Sequence, residues 1–168
     1  YYHIGESYLK LDKMSAARAA FEEASKIDMD PKIKEDALYN YAVLSYKLDV
    51  NPYDEAVEAM QFYLKHYPKS IRKDDIYQYL VTVYTTTNNY AKALQSLEKL
   101  PNKDTRLKAA YQIVAFNRGV ELYQKVDYPS AISSFELVDR YPIDPVITGR
   151  AKYWASDAYF QQKKYDKA

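Results

Sequence analysis

His3 and His66 are the side chains of this chain best suited to hold a metal ion or carry a proton near neutral pH. Neither has a second histidine nearby, and no His-x-x-x-His or related ligand spacing occurs. Cysteine is absent, which excludes disulfides and thiolate metal sites. His66 falls near the end of an expected helix, where a polar or positive group suits the helix dipole. Adjacent carboxylates occur at Glu22-Glu23 and Asp74-Asp75. Both pairs lie beside helical surfaces and read as solvated faces rather than as an acid–base couple. There is no Gly-rich phosphate loop and no Gly-x-Ser-x-Gly elbow. No catalytic constellation emerges, so the chain is expected not to be an enzyme and to need neither metal nor cofactor.

Composition narrows the class further. The formal net charge is +1, which leaves no electrostatic footprint for nucleic acid or for anionic lipid. The longest apolar stretch is far too short to cross a bilayer, so this segment is not expected to insert into a membrane. Of 168 residues, 48% are apolar, enough for a continuous core, while three glycines and seven prolines argue against disorder and against a turn-rich β fold.

Periodicity supplies the elements. Alanine recurs three residues after a large residue and four before another, at Met14-Ala17-Phe21, Tyr53-Ala56-Met60, Tyr90-Ala93-Leu97 and Tyr128-Ala131-Phe135, and a last unit opens at Tyr165-Ala168. The spacing of about 38 residues marks stacked supersecondary units. Each unit reads as two amphipathic helices. Tyr39, Ala42, Val43 and Tyr46 share one helical face, as do Tyr77, Leu80, Val81 and Tyr84. Asp30-Pro31, Asn51-Pro52 and Asp144-Pro145 place a capping side chain before a proline at a helix start, and Asp104 or Thr105 caps another. Tyr67-Pro68 and Tyr141-Pro142 close second helices. The expected helices are 1–11, 14–27, 32–48, 53–66, 72–87, 90–99, 104–126, 128–140, 145–163 and a stub from 165. The helix at 104–126 exceeds its peers, so its first turns are expected to overhang. The small alanines let the two helices of a hairpin approach closely, and the large residue four later fills the space one turn on.

These residues resemble the tetratricopeptide repeat. Tyr1, Ile4-Gly5, Tyr8, Ala17, Phe21 and Ala24 follow the family pattern in the first repeat, and Gly119, Tyr128, Ala131, Phe135 and Pro142 follow it in the fourth. The second and third carry Val43 and Val81 in place of the glycine, and the repeat is longer than the family's usual length. The resemblance implies an all-α, right-handed α-α superhelix of helix hairpins, with one array over 1–168. Its repeats are about 1–31, 32–70, 71–103, 104–143 and an incomplete 144–168. Both chain ends read as cut points in a longer protein. The runs Phe62 to Ser70 and Phe135 to Pro142 are similar to helix ends of bacterial envelope members, including the outer-membrane-assembly lipoproteins and the periplasmic partner of the Tol–Pal system. The 20 tyrosines resemble Bacteroidetes-type homologues. A periplasmic or outer-membrane-associated location follows from that likeness.

The family's groove positions carry over to Tyr2, Glu6, Leu9 and Lys10, then Asn40, Leu44 and Lys47, then Gln78, Thr82, Thr85 and Thr86. Beyond them come Phe116, Val120, Tyr123 and Gln124, and finally Tyr153, Asp157, Phe160 and Gln161. Trp154 is expected in the core. The basic-and-asparagine carboxylate clamp of chaperone-tail binders is absent, since Tyr2 with Glu6 and Asn40 with Leu44 stand there. The resemblance therefore implies a scaffold that binds a protein or peptide segment in its groove. A glycan- or peptidoglycan-binding module using the groove aromatics is the alternative, and a helical-repeat RNA reader is disfavoured by the charge. The apolar face of the incomplete last repeat is expected to find a partner, which makes self-association through it an option.

Overall fold

The computed structural model describes residues 1–28, 30–48 and 55–168. The expected helix start at Asn51-Pro52 and the Tyr53 that opens the second alanine unit lie outside the described residues. Among those described, the chain forms nine α-helices and one 3-10 turn, with no strand. They are α1 (Tyr2–Lys10), α2 (Met14–Lys26), α3 (Pro31–Leu48), α4 (Glu55–His66), α5 (Lys73–Thr86), α6 (Tyr90–Lys99), α7 (Thr105–Gln124), α8 (Tyr128–Leu137) and α9 (Pro145–Gln161). The 3-10 turn, Val138–Arg140, tightens the end of α8.

Local chemistry sets these boundaries. The Asp30 carboxylate accepts from the Lys32 N–H at 2.8 Å just ahead of α3. Asp104 accepts from Leu107 N–H at 2.9 Å ahead of α7, and Asp144 from Val146 N–H at 2.7 Å ahead of α9. Each side chain satisfies one of the orphan donors of a first turn. Three first helices of hairpins close in one way. Asp12, Val126 and Lys163 take φ of 55°, 63° and 60°. The next N–H then folds back at 2.9–3.0 Å to Tyr8, Leu122 and Tyr159 carbonyls respectively. This is a left-handed helix stop built without glycine. Val126 is the strained member, because a β-branched side chain rarely adopts positive φ.

Packing follows the alanine register. Ala17, Ala56, Ala93 and Ala131 are fully buried, and so are Phe21, Met60 and Leu97, with Phe135 almost so. Burying each such large side chain contributes roughly 1.5–3 kcal/mol. The two glycines of the family pattern sit under the rings. A Cβ on Gly5 would lie 2.9 Å from Phe21, and one on Gly119 would lie 2.5 Å from Phe135. The repeats with Val43 and Val81 carry the smaller Met60 and Leu97 instead.

The chain divides into two compact units, Tyr1–Val83 and Tyr84–Ala168. In the first, α2 packs against both α1 and α3, and α3 packs against α4. Its core gathers Ala17, Phe21, Ala24, Ala37 and Leu44, with Tyr2, Tyr8, Tyr41 and Leu48 around them. Glu55 ties three helices together, accepting from Arg18 at 2.9 Å and from the Tyr41 hydroxyl at 2.8 Å. In the second unit, α7 is the central element, packed by α6, α8 and α9. Each unit is thus a stack of helix hairpins, the all-α arrangement of an α-α solenoid.

Two expectations are corrected. The first turns of α7 do not overhang: Leu107 and Tyr111 are fully buried. Apolar and ring-bearing residues on those turns are covered because the stretch from Tyr141 to Thr148 folds back over them, through Tyr141 against Tyr111 and Gln112 against Asp144. Residues 165–167 form a turn rather than a helical stub, since a single turn offers too few hydrogen bonds to offset helix nucleation.

Candidate partner-binding site

In the first unit the surface begins with the first helices of its hairpins, α1, α3 and the Lys73–Val83 part of α5. Asp36 on α3 is the hub. It accepts from the Tyr2 hydroxyl of α1 at 2.6 Å and from the Asn40 amide at 3.0 Å, and it pairs with the Arg72 guanidinium ahead of α5. Two expected groove residues, Tyr2 and Asn40, are therefore brought together, but on a carboxylate of the protein itself. The hydrogen bond to Asp36, reinforced by burial, holds the Tyr2 phenol well above its ordinary range. Arg72 also lies over the Tyr39 ring at 4.7 Å, and the Tyr39 hydroxyl reaches Asp75 at 3.3 Å. Tyr63, fully buried, donates to Glu35 at 2.9 Å and meets the Ser70 hydroxyl at 2.7 Å.

The other expected residues of this unit fall into two groups. Lys47 and Gln78 are exposed, and Glu6 and Thr82 are half-buried. Glu6 also accepts from His3 at 2.9 Å, and the Thr82 hydroxyl donates to the Gln78 carbonyl at 3.0 Å. Leu44 is a correction. It is only 5% exposed and belongs to the core with Phe21. Leucine at that point of α3 faces the facing helix because α2 packs there.

In the second unit, Tyr123 of α7 donates to Asp157 of α9, joining two more expected residues. That bond, with burial, pushes the Tyr123 phenol up to about 12. Its ring meets Trp154 edge-on at 4.9 Å and Tyr128 at 5.2 Å. Trp154 is half-buried in this aromatic corner. Phe116 is half-buried, and its ring lies 5.9 Å from that of Phe135. Thr85 and Val120 are half-buried, whereas Tyr153 and Phe160 stand out at 67% and 55% exposure.

The His66 ring donates to the Phe62 carbonyl at 2.9 Å and stacks on the Phe62 ring, a role at the helix end. Glu22 and Glu23 both pair with Lys26, on a solvated face. Among the described residues no three His, Cys, Asp or Glu side chains gather as metal ligands, and no helix is long and apolar enough to cross a membrane.

Sequence reasoning missed one feature of the first unit. An open cleft of about 590 Å³ lies between Tyr2, the start of α3 and the loop ahead of α5. Lys32, Ile33, Glu35, Asp36, Lys69, Ser70, Ile71 and Arg72 line it. One signal was present: Lys32 and Lys69 lie one repeat apart in the chain.

Comparison with known proteins adds the following. Residues 1–30 match one family model of the tetratricopeptide repeat, and residues 36–70 match another. Neither a curated protein nor a solved structure matches the chain. With Gly5 under Phe21, Ala17 and Ala56 at the helix crossings and the hairpins stacked in each unit, these matches support the tetratricopeptide repeat family for this chain.

Proposed function

We propose that this chain is a protein–protein interaction scaffold, whose first helices hold a segment of a partner protein. The match of 1–30 and 36–70 to tetratricopeptide repeats carries the reading, since such repeats suggest protein binding. The fold does not name the partner. The hydrogen bonds of Tyr2, Asn40, Tyr123 and Asp157 support a rigid wall in each unit. A wall that is already ordered loses little entropy when a partner docks. The partner would then touch the groups left open, namely Glu6, Lys47 and Gln78 in the first unit and Val120 and Tyr153 in the second. We further propose a bacterial envelope location, supported by the helix-end runs Phe62 to Ser70 and Phe135 to Pro142.

The test is site-specific photocrosslinking in the native host. The crosslinker is placed at Gln78 or Tyr153, and for contrast at Glu58 or Ser133, exposed positions on second helices. Asn40 and Tyr123 are poor probes, because altering them also breaks internal bonds. The expected result is one protein captured from Gln78 or Tyr153 and none from Glu58 or Ser133. Capture confined to the second helices would move the site off the first helices. Recovery of the native protein solely in the cytosolic fraction would overturn the envelope assignment.

A further inference from the structure

The cleft of the first unit has a charge that its own residues leave unanswered. It is lined by three cations, Lys32, Lys69 and Arg72, and two carboxylates, Glu35 and Asp36. Asp36 is fully engaged by Tyr2, Asn40 and Arg72. Glu35 accepts the Tyr63 hydroxyl and keeps its own charge, so the lining holds three positive and two negative groups and is net positive by one. Asp30, the nearest acid in sequence to Lys32, has a carboxylate oxygen on the Lys32 backbone N–H as the cap of α3. Neither Lys32 nor Lys69 has a carboxylate partner among the described residues. Both lysines line a cleft of about 590 Å³, large enough for several side chains.

The loop that carries Lys69 is not loose. Ser70 N–H bonds the Tyr67 carbonyl at 3.1 Å, and the Ser70 hydroxyl meets Tyr63 and accepts from Arg72 N–H at 3.1 Å. Arg72 is anchored on Asp36 and on the Tyr39 ring. Between these two fixed residues, Ile71 is 96% exposed. A β-branched apolar side chain is held out into water at the edge of the cleft, with half-buried Ile33 on the opposite helix start. A second molecule docked at the cleft would gain by burying this side chain.

We propose that this cleft docks an acidic peptide segment of the partner, its carboxylates paired with Lys32 and Lys69 and an apolar side chain set against Ile71 and Ile33. The inference rests on the scaffold reading and names the chemistry of one partner segment. Two point ammonium charges rather than a bidentate fork imply loose geometry with strong salt dependence.

The test uses the whole 168-residue chain, labelled with 15N, and three probes. These are a ten-residue peptide with glutamates flanking a pair of leucines, the same peptide with lysines for glutamates, and inorganic phosphate. The acidic peptide is expected to shift the amides of Lys32 to Glu35 and Lys69 to Arg72, and the basic peptide to leave them unmoved. K32E/K69E should weaken binding tenfold or more, and I71S severalfold, with spectra that keep their dispersion. Both lysine side chains are exposed, and a glutamate at position 32 suits a helix start, so the variant retains its fold. Three results would each overturn the proposal: no shift with the acidic peptide, shifts that survive K32E/K69E, or full displacement of the peptide by phosphate at equal concentration. The scaffold reading fails separately, when crosslinkers at Gln78 and Tyr153 capture nothing while the acidic peptide still binds the cleft.

Discussion

Volume is exchanged between facing positions one residue at a time. Gly119 lies so close to Phe135 that any Cβ must displace the ring, whereas a Cβ on Gly149 of α9 would meet nothing within 4 Å. The two glycines therefore predict opposite outcomes for one substitution. Gly119→Ala should lower stability by roughly 1–3 kcal/mol through overpacking. Gly149→Ala should raise it by about 0.4–1 kcal/mol, because alanine restricts the unfolded chain and fits a helix interior. Urea unfolding followed by circular dichroism measures both, and equal effects of the same sign would refute the packing assignment. The pairing also explains why the second and third repeats dispense with glycine. Their knobs are Met60 and Leu97, which lack the breadth of a phenyl ring.

Between elements, polar side chains act as bolts. Gln112 of α7 is 1% exposed, and its amide faces the backbone ahead of α9. Its Nε2 donates to the Asp144 carbonyl at 2.9 Å and to the Thr148 hydroxyl at 3.0 Å, while its Oε1 accepts from Asp144 N–H at 2.7 Å. Asp144 in turn caps α9, so one side chain positions the helix start that another residue terminates. A leucine there keeps the volume and removes all three bonds. Gln112→Leu is expected to cost about 1–3 kcal/mol, the penalty for stranding buried partners. In hydrogen exchange the loss should appear first at the amides of Asp144 to Thr148. Unchanged protection there would show that the bolt is redundant. A comparable device joins α6 and the end of α8. Tyr111 donates to Glu98 at 2.5 Å, and Arg140 pairs with the same carboxylate while lying 5.7 Å over the Tyr111 ring.

Across the molecule one motif recurs: a tyrosine hydroxyl given to a carboxylate of another helix. It appears at Tyr2–Asp36, Tyr41–Glu55, Tyr63–Glu35, Tyr111–Glu98 and Tyr123–Asp157. This gives five of the 20 tyrosines a structural use, as side chains with an apolar body and a bonded tip. It also predicts the behaviour of the protein in alkali. Burial, with the Glu35 bond added, pushes Tyr63 up to about 12, and the Asp157 bond pushes Tyr123 up to about 12. Burial acts first on Tyr41 and Tyr111, and the hydrogen bond to Asp36 acts first on Tyr2, all in the same direction. An unfolded tyrosine titrates near 10. The folded state thus keeps protons that the unfolded state has released, and stability falls as pH rises. The contribution is complete below about pH 10, and the share of Tyr63 and Tyr123 is lost between there and about 12. Helical signal should collapse in that window together with tyrosinate absorbance. Intact helicity at pH 12 with tyrosines ionising near 10 would contradict it.

The amino-acid sequence alone determined the alanine register and where most of the helices run, because both rest on short-range rules. Alanine beside a large residue is a volume signal readable at any length, and Asp30, Asp104 and Asp144 announce helix starts through bonds to N–H groups two or three residues away. Tertiary structure decided the surface. Tyr2 meets Asp36 and Tyr123 meets Asp157 across 34 residues of chain. Whether such a tyrosine faces a partner or a neighbouring helix depends on how far each helix is rotated about its axis. A rotation of that kind drew Leu44 inward, though its spacing suited an open wall. The cleft depended on the same long-range geometry. Lys32 and Lys69 are ordinary surface cations in the sequence, and Tyr63, Ser70 and Arg72 fix the loop that sets Lys69 beside the start of α3, where neither lysine has a carboxylate partner among the described residues.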